Sequence, residues 1–178
     1  MKFRIEQHPD AGAFSFQWFD NIYGKTNYEN QVVLDIGADW GRTADYFLQK
    51  GAKRVIAVEG GEDWYTLLER NAKLIEGITP VFLWLKEPRD ISNLIKTYNP
   101  DIVKISTRKW SDCENWLLRI PANIITTVPQ YILLTAQYRT QVKKMIKLEK
   151  MFDRLNYQVN IQMHHVPVIT AVSRSTEK

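Results

Sequence analysis

Apolar runs and amphipathic stretches alternate along the chain from residue 31 onward. Gln31-Val-Val-Leu-Asp-Ile36 is a β-branched run that ends in a turn signal, and it predicts a buried strand. Thr43 to Gln49 carries Ala44, Phe47 and Leu48 at helical spacing. Arg54-Val-Ile-Ala-Val58 predicts a second buried strand, and Trp64, Leu67, Leu68, Ala72 and Ile75 mark the helix face that follows. Pro80-Val-Phe-Leu-Trp-Leu85 predicts a third strand, with Ile91, Leu94, Ile95 and Tyr98 on the next helix. Asp101-Ile-Val-Lys-Ile105 and Gln130-Tyr-Ile-Leu-Leu-Thr135 predict two more strands. A helix through Trp110, Cys113, Trp116 and Leu117 lies between them, and another over about 140–155 follows. Two last runs, Tyr157–Met163 and Val168–Ser173, flank His164-His165-Val166-Pro167. No parallel crossover fits so short a gap, so the spacing predicts an antiparallel pair.

Strand–helix alternation repeated five times predicts an α/β protein with helices on both faces of a mostly parallel sheet. The runs add up to about seven strands, closed by a C-terminal antiparallel hairpin. Ligands of such sheets bind beyond the carboxyl ends of the strands. The loops after Ile36, Val58, Leu85 and Ile105 are therefore the expected site walls. Residues 1–30 read as a leader rich in aromatics (Phe14, Phe16, Trp18, Phe19, Tyr23) that packs on a single domain over 31–178.

Composition narrows the class. The chain is 44% apolar and 25% charged, without low-complexity tracts, as expected of an ordinary folded domain. Apolar runs stay below the ~18 residues of a membrane span, and the first residues have no signal-peptide pattern, so a soluble, cytoplasmic protein is expected. One cysteine, Cys113, excludes an internal disulfide and any multi-cysteine metal site, and no metal is expected. The net charge of +4 is mild. Its one dense stretch runs from Arg139 to Lys150, with Lys143, Lys144 and Lys147 opposite Val142, Met145 and Ile146, and reads as a solvated helix face.

The informative stretch is Asp35-Ile-Gly37-Ala38-Asp39-Trp40-Gly41-Arg42-Thr43, a strand end, a glycine turn and a helix start. Gly37 permits a tight turn and close backbone approach by a ligand, and Gly41 lets the helix pack near the strand. Glu59, 18 residues after Gly41, ends the second strand, where an acidic residue would grip a ribose hydroxyl pair. Two ligand classes use this arrangement: dinucleotides and S-adenosylmethionine. Charge separates them. A pyrophosphate requires N–H donors without a neighbouring anion, yet this turn carries Asp35 and Asp39. S-adenosylmethionine has no phosphate, and its sulfonium and ammonium suit an acidic turn. The Gly-x-x-x-Gly spacing also departs from the dinucleotide fingerprint, which argues against a nicotinamide dehydrogenase. The cofactor-binding set is read as Asp35, Gly37, Ala38, Asp39, Trp40, Gly41, Glu59 and Gly60.

Val33-Leu-Asp-Ile-Gly-Ala-Asp-Trp-Gly41 followed by Val55-Ile-Ala-Val-Glu-Gly60 resembles the first two motifs of class I S-adenosylmethionine-dependent methyltransferases, a Rossmann-like fold. Within that superfamily the chain is most similar to the FkbM type, many of which are O-methyltransferases. Asp101-Ile-Val-Lys-Ile-Ser106, Pro129-Gln-Tyr-Ile-Leu-Leu-Thr-Ala136 and Leu155-Asn-Tyr-Gln-Val159 continue the likeness, which spans about residues 30–173. It implies methyl transfer to a small-molecule or sugar hydroxyl. One departure bears on catalysis. Where the family runs into Asp-x-Glu-Gly-x-Glu, this chain has Ser106-Thr107-Arg108-Lys109-Trp110-Ser111.

No catalytic base stands out. Ser106 and Arg108 are the candidates for the acceptor side, since a loop after the fourth strand would meet the acceptor in such a fold. His164 and His165 read as an exposed turn. Two alternatives stay open: a methyltransferase fold that binds S-adenosylmethionine, or serves interaction, without turnover; and nucleic-acid methylation, supported by the positive charge.

Overall fold

The computed structural model describes residues 2–7, 15–106, 131–135, 149–154, 157–163 and 167–173. The chain divides into two compact units, Met1–Trp84 and Leu85–Lys178.

In the first unit, α1 (Phe16–Tyr23) precedes β1 (Val32–Ile36), α2 (Arg42–Gln49), β2 (Arg54–Glu59), α3 (Glu62–Leu74) and β3 (Ile78–Phe82). The strands lie in the order β3-β2-β1, all parallel, with Val33 opposite Val55 and Val55 opposite Ile78. Val33, Leu34, Val55, Ile56 and Ala57 are completely buried, as strands covered on both faces require.

Three features depart from the periodicity. The leader contains a helix, α1, started by Ser15, whose side chain accepts from the Trp18 N–H. Second, β3 spans Ile78–Phe82 and not 80–85. Parallel pairing to β2 begins at Ile78 and ends at exposed Phe82, and the apolar run continues past the strand through Leu83 to exposed Trp84. Pro80 sits within β3, tolerable because β3 ends the strand order and Pro lacks the ladder N–H. Third, α2 is buried all round from Arg42 to Phe47, although its sequence shows a single apolar stripe. The second face is covered by the leader: Tyr46 meets Phe16 and Phe19 at ring separations of 5.0 and 5.9 Å. Phe47 stacks on Tyr28 at 4.9 Å and meets Tyr23 edge-on at 5.6 Å.

The second unit holds α4 (Pro88–Tyr98), β4 (Ile102–Ile105), β5 (Tyr131–Thr135), β6 (Tyr157–Met163) and β7 (Pro167–Ser173). Helix α4 opens with a reciprocal cap between Glu87 and Asp90, has Pro88 in its first turn, and buries Ile91, Leu94 and Ile95. Strand β4 pairs parallel with β5, β5 antiparallel with β7, and β7 antiparallel with β6. Residues 149–154 are helical, and Phe152 packs on Tyr157. The anticipated helix through Trp110 and Cys113, most of the basic stretch, and His164-His165 lie outside the described residues. Among the described residues, no helix is long and apolar enough to cross a membrane.

The aromatic cluster centres on Tyr46, and the completely buried Phe47 beside it meets Tyr23, Tyr28 and Tyr46. Phe47→Ala should lower stability by about 3–5 kcal/mol, through lost transfer energy and an unfilled cavity. Chemical denaturation of the parent and variant measures it.

Candidate active site

The turn after β1 is set by backbone geometry that few residues accept. Gly37, Asp39 and Gly41 have φ of 75°, 49° and 97°. Left-handed conformations thus recur at every second residue. Glycine takes them freely, and Asp is among the few other residues that tolerate them. A Cβ on Gly41 would also lie 3.1 Å from Leu68 Cδ1 of α3.

The turn is fastened to the end of β2. The N–H groups of Gly37 and Ala38 both donate to the Val58 carbonyl, at 3.0 and 3.1 Å. The Asp39 N–H donates to Glu59 Oε2 at 3.0 Å, and the Gly41 N–H returns to the Ala38 carbonyl at 2.9 Å. These four amides are committed to protein acceptors. A pyrophosphate would have to compete for each of them, which adds to the charge argument against a dinucleotide.

Glu59 is the hub of this arrangement. Its Oε1 accepts from the N–H groups of Gly60 and Gly61, at 2.9 and 2.7 Å, while Oε2 holds Asp39. Burial raises its pKa, and the three backbone donors oppose that rise. A carboxylate has about four acceptor positions, so three bonds leave capacity for a hydroxyl donor. Gly60 is required by close approach: a Cβ there would lie 2.8 Å from the Trp84 Cα and 3.0 Å from its indole. A Cβ on Gly61 would lie 2.8 Å from Trp64 Cδ1.

Asp35 is fully buried and accepts the Thr43 hydroxyl, so its charge sits beneath the first turn of α2. That is a favourable place for an anion. Ala38 is buried, and Asp39 is partly exposed. Trp40 is buried and stacks on Trp64 at 5.1 Å with 20° between the planes. The Arg42 guanidinium lies 4.0 Å from the Trp40 ring centroid and 3.9 Å from Asp39 Oδ2. Burial lowers its pKa, and Asp39 opposes that shift.

The structure therefore gathers Asp35, Gly37, Ala38, Asp39, Trp40, Gly41, Glu59 and Gly60 at the β1 and β2 strand ends of one unit. Ser106 follows β4 in the other unit, and Arg108 lies outside the described residues. Among the described residues, no cluster of His, Cys, Asp and Glu could hold a metal ion. Four neighbours of the site escaped the sequence reading as such: Thr43, Trp64, Trp84 and Asn71, whose side chain donates to the Trp40 carbonyl. Asn71 had a usable signal, since it falls in the buried phase of α3 with Leu67, Leu68 and Ile75. A polar residue in a core phase needs partners.

No protein-family model matches the chain, and no curated protein matches its sequence. Solved structures do match. A precorrin-6Y C5,15-methyltransferase from Geobacter metallireducens is similar at a TM-score of 0.65 and 17% identity, over 95% of this chain and 94% of that one. The METTL16 MTase domain is similar at 0.70 and 10%, over 96% and 73%. Aeropyrum pernix fibrillarin, solved with natively bound S-adenosyl-L-methionine, is similar at 0.58 and 14%, over 81% and 67%. These neighbours are class I S-adenosylmethionine-dependent methyltransferases. The shared property is the fold: a Rossmann-like methyltransferase fold with a parallel sheet and helices.

Gly37 provides a direct test of the turn. At a φ of 75° a β-branched side chain is strongly disfavoured, so Gly37→Val should cost about 1–3 kcal/mol of stability before any ligand is considered. A thermal melt of the ligand-free variant checks this, and an unchanged melt would show that the turn relaxes.

Proposed function

We propose that this chain is an S-adenosylmethionine-dependent methyltransferase, with the cofactor held by the Gly37–Gly41 turn and Glu59. The observation that carries the reading is the composition of that turn. It is acidic, its amides are already committed, and a partly buried carboxylate with spare acceptor capacity stands beside it. A cationic nucleoside suits such a site, and a phosphate does not. Methyltransferases among the structural neighbours, including a fibrillarin bound to S-adenosyl-L-methionine, support the same cofactor.

Each group has a role in this reading. Glu59 accepts ribose hydroxyls, Gly37 admits the ligand close to the backbone, and Asp35 and Asp39 supply negative potential for the sulfonium and ammonium. Bound S-adenosylmethionine supplies the electrophilic methyl group, and the chain's part is to orient it for an acceptor lone pair. The likeness to the FkbM type supports an oxygen acceptor on a small molecule or sugar. Ser106 and Arg108 are the proposed acceptor-side residues. The proposal includes a cytoplasmic location and a single methyltransferase domain over 31–178 with about seven strands and a C-terminal hairpin, which residues 1–30 join as a packed leader.

Two observations favour other readings. The basic, hydroxylated Ser106–Ser111 stretch in place of an acidic cluster favours cofactor binding without turnover. Incubation with methyl-labelled S-adenosylmethionine and native extract decides it, and labelled product removes the non-catalytic alternative. The net charge of +4 favours a nucleic-acid acceptor. Affinity for RNA that falls steeply with salt supports a phosphate-tracking surface, and salt-independent affinity excludes one.

Calorimetry with S-adenosylmethionine and S-adenosylhomocysteine tests the cofactor assignment, which fails if neither binds at millimolar concentration. Glu59→Ala should weaken both by about tenfold or more, since hydrogen bonds to charged groups are worth about 1.5–3 kcal/mol each. An unchanged affinity would remove Glu59 from the site.

Glu59 also sets a pH dependence. The ionised form accepts hydroxyl donors, and burial raises its pKa. S-adenosylhomocysteine should therefore bind more weakly as pH falls through that raised value. Glu59→Gln should flatten the profile. Titrations across the acidic range for parent and variant provide the comparison.

A further inference from the structure

The segment before the leader helix is bound to the two helices that flank the glycine turn. The Arg4 N–H donates to Asp45 Oδ2, and its guanidinium Nε donates to Oδ1, both at 2.8 Å. Asp45 is completely buried in the first turn of α2, and its own N–H closes on the Gly41 carbonyl at 2.9 Å. Gln49, near the end of α2, donates to the Lys2 carbonyl at 3.0 Å. Phe3 packs on Phe16 and Phe19 of α1.

Two side chains of α3 hold Glu6: Arg70 pairs with its carboxylate at the surface, and Asn71 binds its backbone. Asn71 is completely buried. Its Oδ1 accepts from the Glu6 N–H at 2.8 Å, and its Nδ2 donates to the Glu6 carbonyl at 3.0 Å. The second Nδ2 hydrogen goes to the Trp40 carbonyl at 2.8 Å, inside the turn. The side chain thus pairs with Glu6 as a neighbouring strand would, and spends its remaining donor on the turn. The network also fixes the amide's orientation, because a flipped amide would oppose donor to donor and acceptor to acceptor.

From this geometry we infer that residues 2–7 are a strap that sets the shape of the Gly37–Gly41 turn, with Asn71 as the positioning residue between them. The strap fixes α2 at Asp45 and α3 at Asn71, and the turn is suspended between these helices. Releasing the strap frees the turn to leave its ligand-ready shape. Linkage is reciprocal, so a ligand that holds the turn also tightens the strap. The inference deepens the cofactor reading and rests on it only for the ligand-binding consequence.

Two variants test it. Arg4→Ala removes the guanidinium's hold on Asp45 from a half-exposed side chain and leaves the backbone amide bond, and Asn71→Asp keeps the acceptor for Glu6 while losing both donors. Amide hydrogen exchange without ligand should quicken at Ala38, Asp39 and Gly41 in Arg4→Ala while the β2 amides keep their parent rates. S-adenosylhomocysteine affinity should fall about fivefold to tenfold in each variant, the size expected for one or two lost hydrogen bonds. Arg4→Lys should recover part of that loss. In the parent, S-adenosylhomocysteine should slow exchange of the Glu6 amide.

Turn amides that exchange at parent rates in both variants would overturn the strap, whether or not the parent binds the ligand. Exchange that quickens equally in β2 and the turn would reduce the strap to ordinary stability, which also overturns it. A parent that fails to bind S-adenosylhomocysteine would sink the cofactor reading. The exchange comparison would then decide the strap by itself.

Discussion

The Glu59 carboxylate is the interaction on which the rest of the site depends. It sits at the end of β2, partly withdrawn from water, and gathers N–H groups from its own following turn and from the turn after β1. Withdrawing a carboxylate from solvent is costly, and here three backbone donors offset the cost. The result is a joint between two chain segments twenty residues apart. Without it, the loop would lose its side-chain tie to β2 and rest on backbone bonds such as those from Gly37 and Ala38 to Val58.

The same joint explains why this turn is a poor phosphate cradle. A pyrophosphate site leaves its amides pointing outward for the ligand. Here the amides of Gly37, Ala38, Asp39 and Gly41 turn inward to β2, to Glu59 or to the turn itself. What the turn presents is the field of Asp39 and, from beneath, of Asp35. Arg42 offsets part of the Asp39 field from 3.9 Å away, while its guanidinium also packs on the Trp40 face. The case against a phosphate ligand thus rests on where the hydrogen bonds go as much as on which residues carry charge.

Much of this was legible in the residues. Strands β1, β2 and β4 are short apolar runs bounded by turn signals, and their pattern has one reading. Asp35, Gly37, Gly41 and Glu59 announce strand ends through spacing alone. The third strand misled because Phe82 and Trp84 are apolar yet exposed, and a run of apolar residues does not reveal where pairing to β2 stops. Helix α1 was hidden in the leader, whose aromatics read as a cluster without a period. The burial of α2 on its second face was beyond reach, since it comes from Phe16, Phe19 and residues 2–7 folding back over it. Local periodicity reports the face a helix turns to the sheet, and long-range cover leaves no mark on it.

Among the described residues of the first unit, the buried polar side chains share one location. Asp35, Arg42, Thr43, Asp45 and Asn71 all lie in α2, directly under its first turn, or against the turn that precedes it. Apolar residues of similar volume could often fill such positions at equal or better stability, because burying polar groups gains little net energy. They would not, however, dictate one geometry, since hydrophobic contacts are non-directional and hydrogen bonds are not. Each buried group here binds a particular atom: Asp35 the Thr43 hydroxyl, Asp45 the Arg4 amide, Asn71 the Trp40 carbonyl. Three left-handed positions at alternate residues are otherwise a flexible and expensive turn. Directional bonds placed around that turn hold it in a single shape, and a ligand that needs that shape does not have to supply the ordering energy itself.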